Sequence, residues 1–174
     1  MEDITNIIWD AHVPFDWREV LLPASRDGTM TPLALIANGY REVHLGPDAL
    51  LAEVRPRAHL RAGFDKLVVQ ARVHRWPLHV ISHGLGFYLR DLLPPGLALA
   101  DGQDFKVQVL ADLRARHPGR RTVYVGDGRL DFPAARRSDQ VFAVRDSTLA
   151  TLCRGARVAC TEFDRFDEIV AALS

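Results

Sequence analysis

Val123-Tyr-Val-Gly-Asp-Gly-Arg-Leu-Asp-Phe-Pro-Ala-Ala135 is the stretch on which the fold turns. Val123–Val125 is apolar and β-branched or aromatic, the pattern of a buried strand. Gly126 and Gly128 let the backbone turn tightly, and a helix is expected over Phe132–Arg137. Strand, turn and helix together carry Asp127 to the C-terminal edge of a sheet, with Asp131 four residues on at the helix start. Two convergent carboxylates are hard oxygen ligands suited to Mg²⁺. The same residues also have a purely structural reading, in which Asp127 caps the turn and Asp131 the helix.

Outward from this stretch the chain repeats the alternation. Leu78–Ser82 reads as a short strand, followed by a helix over Phe87–Leu93 that Pro94-Pro95-Gly96 ends. A helix is expected over Phe105–Arg116, a strand over Gln140–Val144, and helices over Ser147–Arg154 and Asp167–Leu173. Strands alternating with helices predict an α/β fold: a three-layer parallel sheet with functional loops at the strands' C-terminal ends. The first 75 residues differ. Ile4, Ile7, Ile8 and Ala11 form one helical stripe behind Asp3, and amphipathic segments follow around Asp16–Leu22, Pro32–Ala37, Pro47–Val54 and His59–Val73. The expected organisation is therefore a helical part over residues 3–76 and a sheet core over 77–174.

The 174 residues are 48% hydrophobic, enough for a sizeable core. Twenty-two basic and 22 acidic residues cancel, so no charge footprint for nucleic acid or an anionic membrane is present. Cys153 and Cys160 form no CxxC pattern, and the expected location is the cytoplasm. No apolar stretch approaches the roughly 20 residues of a membrane helix.

Two further positions carry chemistry. Ser82 ends a buried strand, and Ser82-His83-Gly84 offers a hydroxyl and consecutive backbone N–H groups, a seat for phosphate. Lys106 follows, ahead of a helix, where an ammonium can neutralise a phosphoryl group. In order, Ser82, Lys106, Asp127 and Asp131 resemble the second, third and fourth motifs of the haloacid dehalogenase superfamily. The branch they are similar to is the phosphoserine phosphatase-like one, especially the methionine-salvage phosphatases of hydroxy-keto-methylthiopentenyl phosphate. Val80-Ile-Ser-His-Gly84 is similar to that family's Val-Ile-Ser-Gly-Gly, and Tyr124-Val-Gly-Asp-Gly128 to its Tyr-Ile-Gly-Asp-Ser. Ala134–Ala143 and Phe163–Ile169 also look like its C-terminal half.

The resemblance implies a Rossmannoid core with a helical cap and hydrolysis of a small phosphorylated metabolite. It implies Ser82, Lys106 and Asp127 as catalytic, and Ser82, His83, Gly84 and Lys106 as phosphate-binding. It assigns Mg²⁺ to Asp127 and Asp131, the latter tuning the metal's surroundings. One feature of that family is missing: the chain contains no Asp-x-Asp-Gly-Thr, whose first Asp attacks phosphorus. Met1 stands where that strand would precede the first helix, and Asp10, on a helical stripe with no Gly-Thr, is not a substitute. Weak Mg²⁺ binding and no turnover by this chain are therefore expected. A phosphatase with an upstream start, a pseudoenzyme that binds a phosphorylated ligand or a protein, and a structural or oligomerisation module all fit. In the family the missing strand is central, between those ending at Ser82 and Val125. The expectation is that these two strands close up and pair directly, or that a homodimer buries their edges.

Overall fold

A computed structural model describes residues 4–82, 98–100 and 105–174. The helix expected over Phe87–Leu93, and with it His83 and Gly84, lies outside the described residues. Contacts divide the described residues into two compact units, one formed by residues 4–60, the other by residues 61–81, 98–100 and 105–174.

In the first unit, the helices are α1 (Ile4–His12), α2 (Trp17–Val20), α3 (Leu22–Arg26), α4 (Pro32–Arg41) and α5 (Pro47–Val54). Short polar caps set their starts: the Asp16 carboxylate accepts from the Arg18 amide, and the Thr31 hydroxyl from the Ala34 amide at 3.2 Å. The stripe read from the sequence supplies the core, where Ile7, Ile8 and Trp9 of α1 meet Trp17, Leu21, Leu50 and Val54. Trp9 is the centrepiece. Its ring lies edge-on to Trp17 and Tyr40, with centroids 5.1 and 5.7 Å away. It reaches that position because residue 39 is glycine: a Cβ there would fall 2.2 Å from the indole Cζ2.

The second unit begins with α6 (Phe64–Val73) and β1 (His79–Ile81), and continues through β2 (Ala98–Ala100), α7 (Phe105–Arg116) and β3 (Val123–Gly126). A 3-10 turn (Arg129–Asp131) leads into α8 (Phe132–Ala135), followed by β4 (Gln140–Val144), α9 (Thr148–Ala156), β5 (Thr161–Phe163) and α10 (Phe166–Leu173). Among the described residues all the strand pairing is parallel. The order β3-β4-β5 places Tyr124 beside Val141, and Phe142 beside Thr161. Alternation along the strands then divides the core between two faces. Tyr124, Val141 and Ala143 pack against α7, α8 and α9 through Leu110, Ala134, Ala135, Leu149, Ala150 and Cys153. Phe142 and Phe163 pack against α6 and α10 through Leu67 and Ile169. Helices thus cover both faces of a parallel sheet, the expected three-layer α/β arrangement. Helix α6 is tied to α10 by a 2.6 Å Lys66–Asp167 ion pair and an edge-on Phe64–Phe166 contact.

Two strands, β2 and β5, each of three residues, were not anticipated from the sequence: Ala98-Leu-Ala100 and Thr161-Glu-Phe163 lack the β-branched apolar run that marks the equally short β1. β2 matters for a second reason. Among the described residues the direct closure expected between the strands ending at Ser82 and Val125 is not seen: β1 pairs with β2, and β3 pairs with β4 in a separate sheet. Among the described residues, a cavity of about 540 Å³ lies between the chain leading into β1 and the outer edge of β3, with helices above and below.

The Gly39→Ala variant should be destabilised by about 1–3 kcal/mol or more, because the added methyl overlaps an indole ring that has nowhere to retreat. Denaturant unfolding monitored by tryptophan fluorescence tests this, and a wild-type midpoint would show that the Trp9 packing is not tight.

Candidate functional site

The chemistry read from the sequence gathers at the C-terminal end of β3. The strand delivers Tyr124 into the sheet face, then turns at Gly126, so that Asp127 emerges exposed at the sheet edge. Asp131, on the 3-10 turn, folds back beneath this loop and is 5% exposed. Its Oδ2 accepts the backbone N–H of Asp127 at 3.0 Å and that of Gly128 at 2.8 Å. Its Oδ1 accepts the Lys106 ammonium at 2.5 Å and the Tyr124 hydroxyl at 2.8 Å. Four donors therefore meet the roughly four lone-pair positions of one carboxylate.

This closeness depends on Gly126. A Cβ at that position would sit 2.7 Å from both Cγ and Oδ2 of Asp131. The carbonyl of Asp127 in turn accepts the Leu149 amide of α9 at 2.9 Å, which fixes the loop from its other side.

Burial alone would raise the Asp131 pKa, but the Lys106 charge and the hydrogen bonds from Lys106, Gly128 and Tyr124 outweigh it and hold the carboxyl below its ordinary value. The Tyr124 phenol is driven far above its usual range by burial, then by the Asp131 charge and their hydrogen bond, so it stays a donor. The Lys106 side chain is 12% exposed and the Asp131 side chain 8%, so this is an ion pair largely removed from water.

Lys106, 25 residues before Asp131 in the sequence, is thus brought to the Asp127–Asp131 loop. Ser82 directly follows β1, as its strand-end reading required. Tyr124 was not singled out by the sequence reading. Its signal was available: a tyrosine in a buried strand needs a partner for its hydroxyl. Asp10 stands on α1, where its carboxylate takes two hydrogen bonds from Arg18 and one from the Trp17 indole at 2.8 Å. This is a structural clamp across the first unit.

Among the described residues no three His, Cys, Asp or Glu side chains form a group able to hold a metal ion. The donor set that faces outward at this edge is the Asp127 carboxylate, since the lone pairs of Asp131 are already engaged. Nor is any helix among the described residues long and apolar enough to cross a membrane.

Comparison with known proteins agrees with the motif reading. No family model matches the chain. It is 24% identical over 153 residues to a 2-hydroxy-3-keto-5-methylthiopentenyl-1-phosphate phosphatase of Bacillus mycoides, covering 72% of this chain and 68% of that protein. To the protein of the same name from Exiguobacterium sibiricum it is 27% identical over 140 residues, covering 66% of this chain and 63% of the relative. Over a shorter span of 50 residues it is 42% identical to a polyol phosphate phosphatase of Saccharomyces cerevisiae, covering 29% of this chain and 21% of the yeast protein. The chain thus spans about two thirds of the two bacterial relatives. All three are phosphatases, which supports a relationship to the haloacid dehalogenase-type phosphatases.

Removing the central carboxylate has a calculable consequence. Asp131→Ala leaves the Lys106 ammonium and the Tyr124 hydroxyl buried without their partner, and the expected loss is about 3–5 kcal/mol of stability. Because the folded pKa of Asp131 is depressed, its contribution is present above the ordinary aspartate pKa and fades as pH falls below it through the lowered value. Chemical denaturation of wild type and Asp131→Asn across acidic pH should show a shallower acid limb in the variant. Identical pH dependence would mean that Asp131 is not the group titrating.

Proposed function

We propose that this chain is the phosphate-handling part of a haloacid dehalogenase-type phosphomonoesterase directed at a small phosphorylated metabolite in the cytoplasm. The observation that carries this reading is the single node at the end of β3, where Lys106, Tyr124 and the Asp127 and Gly128 amides all converge on Asp131. An arrangement of this kind sets an ammonium, held by Asp131, and the exposed Asp127 carboxylate at the same sheet end, which suits a doubly charged phosphoryl group and a divalent cation. The names of the three relatives favour the same reaction class.

Each residue then has a role. Asp127 is the carboxylate that would hold Mg²⁺, which when bound would polarise a phosphoryl oxygen. Lys106 balances the charge of the phosphoryl group. Asp131 acts through these two, orienting the ammonium and fixing the loop that presents Asp127. Ser82, with the backbone amides of His83 and Gly84, binds phosphate oxygens. The 174 residues contain no Asp-x-Asp pair, so they bring no aspartate nucleophile of the family's kind. In this reading they bind phosphate without transferring it. A homodimer is compatible with this role.

Two measurements test the proposal. Calorimetric titration should give weak Mg²⁺ binding, since one outward carboxylate supplies little of an octahedral shell, and Asp127→Asn should abolish it. Tight binding that survives Asp127→Asn would overturn the assignment. With Mg²⁺ present, the chain should not hydrolyse p-nitrophenyl phosphate; brisk hydrolysis that Asp10→Asn removes would make Asp10 the nucleophile and the proposed division of roles wrong.

A further inference from the structure

Two nucleophilic side chains lie outside the node at the end of β3 and take no part in the phosphate chemistry. Cys153 stands on α9, Cys160 immediately precedes β5, and both are free thiols. Between them the chain reverses at Arg157, whose backbone is left-handed with φ 56°, and the Val158 amide donates to the Cys153 carbonyl at 2.9 Å. That turn folds Cys160 back toward the helix just ended. Its side chain packs on the apolar cluster that contains Cys153, and the two thiols are hydrogen-bonded to each other. Sulfurs in such contact are close enough for small side-chain movements to join them.

Their surroundings give the two sulfurs different parts. Cys153 is 0% exposed, whereas Cys160 is half-buried and reaches solvent. Burial drives the Cys153 thiol up to about 11, and the neighbouring Cys160 adds to the rise. Burial raises Cys160 as well, but hydrogen bonds from the Cys153 thiol and the Ala143 amide favour its thiolate. The charged groups that face Cys160 are Glu162, which opposes ionisation, and Arg154, which favours it; these two are ion-paired at 2.6 Å. Cys160 is therefore the sulfur that meets a solute, and Cys153 is held behind it. Their raised pKa values make both thiols slow to react at neutral pH.

We propose that Cys153 and Cys160 are a reversible thiol–disulfide pair, oxidised by a small-molecule disulfide of the glutathione class. The Cys160 thiolate attacks one sulfur of the oxidant, forms a mixed disulfide and expels one glutathione thiolate, which takes up a proton. Cys153 then gives its proton to water and attacks the Cys160 sulfur; the mixed disulfide breaks, and the second glutathione leaves and is protonated. The two protein thiols thus lose two electrons and two protons, and the oxidant becomes two thiols. The bridge ties α9, whose Leu149 amide holds the Asp127 carbonyl, to the start of β5. In a reducing compartment the pair rests as thiols, and glutathione reverses the bond.

The test uses the 174-residue chain in buffers of graded oxidised-to-reduced glutathione ratio, read by intact mass spectrometry after thiol alkylation. Wild type should lose two hydrogens without linking to a second chain, and dithiothreitol should restore them. Because the fold already holds the sulfurs together, the equilibrium constant for closing the bridge should be at least about tenfold larger in the folded chain than in urea. Variants divide the roles. Cys153→Ser should stop at a mixed disulfide on Cys160, while Cys160→Ser should take up glutathione at least about tenfold more slowly, since Cys153 is sealed from solvent. Circular dichroism checks that both are folded, and Cys153→Ala replaces a buried serine that unfolds the chain. The rate of the first step should rise with pH between about 7 and 9 as thiolate accumulates. No bridge in strongly oxidising buffer, equal constants in folded and unfolded chain, or equal uptake by the two variants would overturn the proposal. None of these readouts involves phosphate or Mg²⁺, so they stand apart from the phosphatase reading.

Discussion

One buried carboxylate holds the functional end of this molecule together. Asp131 would be costly to bury as an isolated charge, and its location is tolerable because every lone-pair position is occupied. The four donors come from three places: α7 contributes Lys106, β3 contributes Tyr124, and the turn contributes two backbone amides. Helix, strand and loop are thereby locked to a common point. The exposed carboxylate of Asp127 is the outward product of that lock, since its own amide and carbonyl are both held, the first by Asp131 and the second by Leu149 of α9.

The same logic explains why Gly126 stands where it does. Any side chain there would collide with Asp131 at 2.7 Å, so the residue that permits the turn also permits the carboxylate to approach. Gly39 plays the corresponding part in the helical unit, where the absent side chain is replaced by the Trp9 ring. In both cases a polar or aromatic group occupies space that a Cβ would take, and the glycine is required by its neighbour rather than by a left-handed backbone.

Parallel sheets are normally covered on both faces and paired on both edges of their inner strands. Here the faces are covered, by α7, α8 and α9 on one side and α6 and α10 on the other. Among the described residues β3 is paired along one edge, by β4. The helical walls continue past that strand over a cavity of about 540 Å³.

Much of this was legible in the sequence because it rests on local rules. The 3.6-residue stripe of Ile4, Ile7 and Ile8 gives α1, and the apolar Val123–Val125 and Gln140–Val144 give β3 and β4, because periodicity and β-branching act over a few residues. The order of Ser82, Lys106, Asp127 and Asp131 pointed to phosphate chemistry for the same reason, each standing at a strand end or helix start. What only the tertiary structure decided depends on long-range choice. Ala98-Leu-Ala100 carries too little β-branched pattern to be recognised as β2, and its pairing with β1 joins segments that lie apart in sequence. The apolar stripe of Leu67, Val68 and Ala71 could serve either unit; its packing against α10 was settled by shape and the Lys66–Asp167 pair. The division of labour between two aspartates four residues apart is of this kind too. Composition makes Asp127 and Asp131 equals, and it is the convergence of Lys106, Tyr124 and two amides that buries one and turns the other outward.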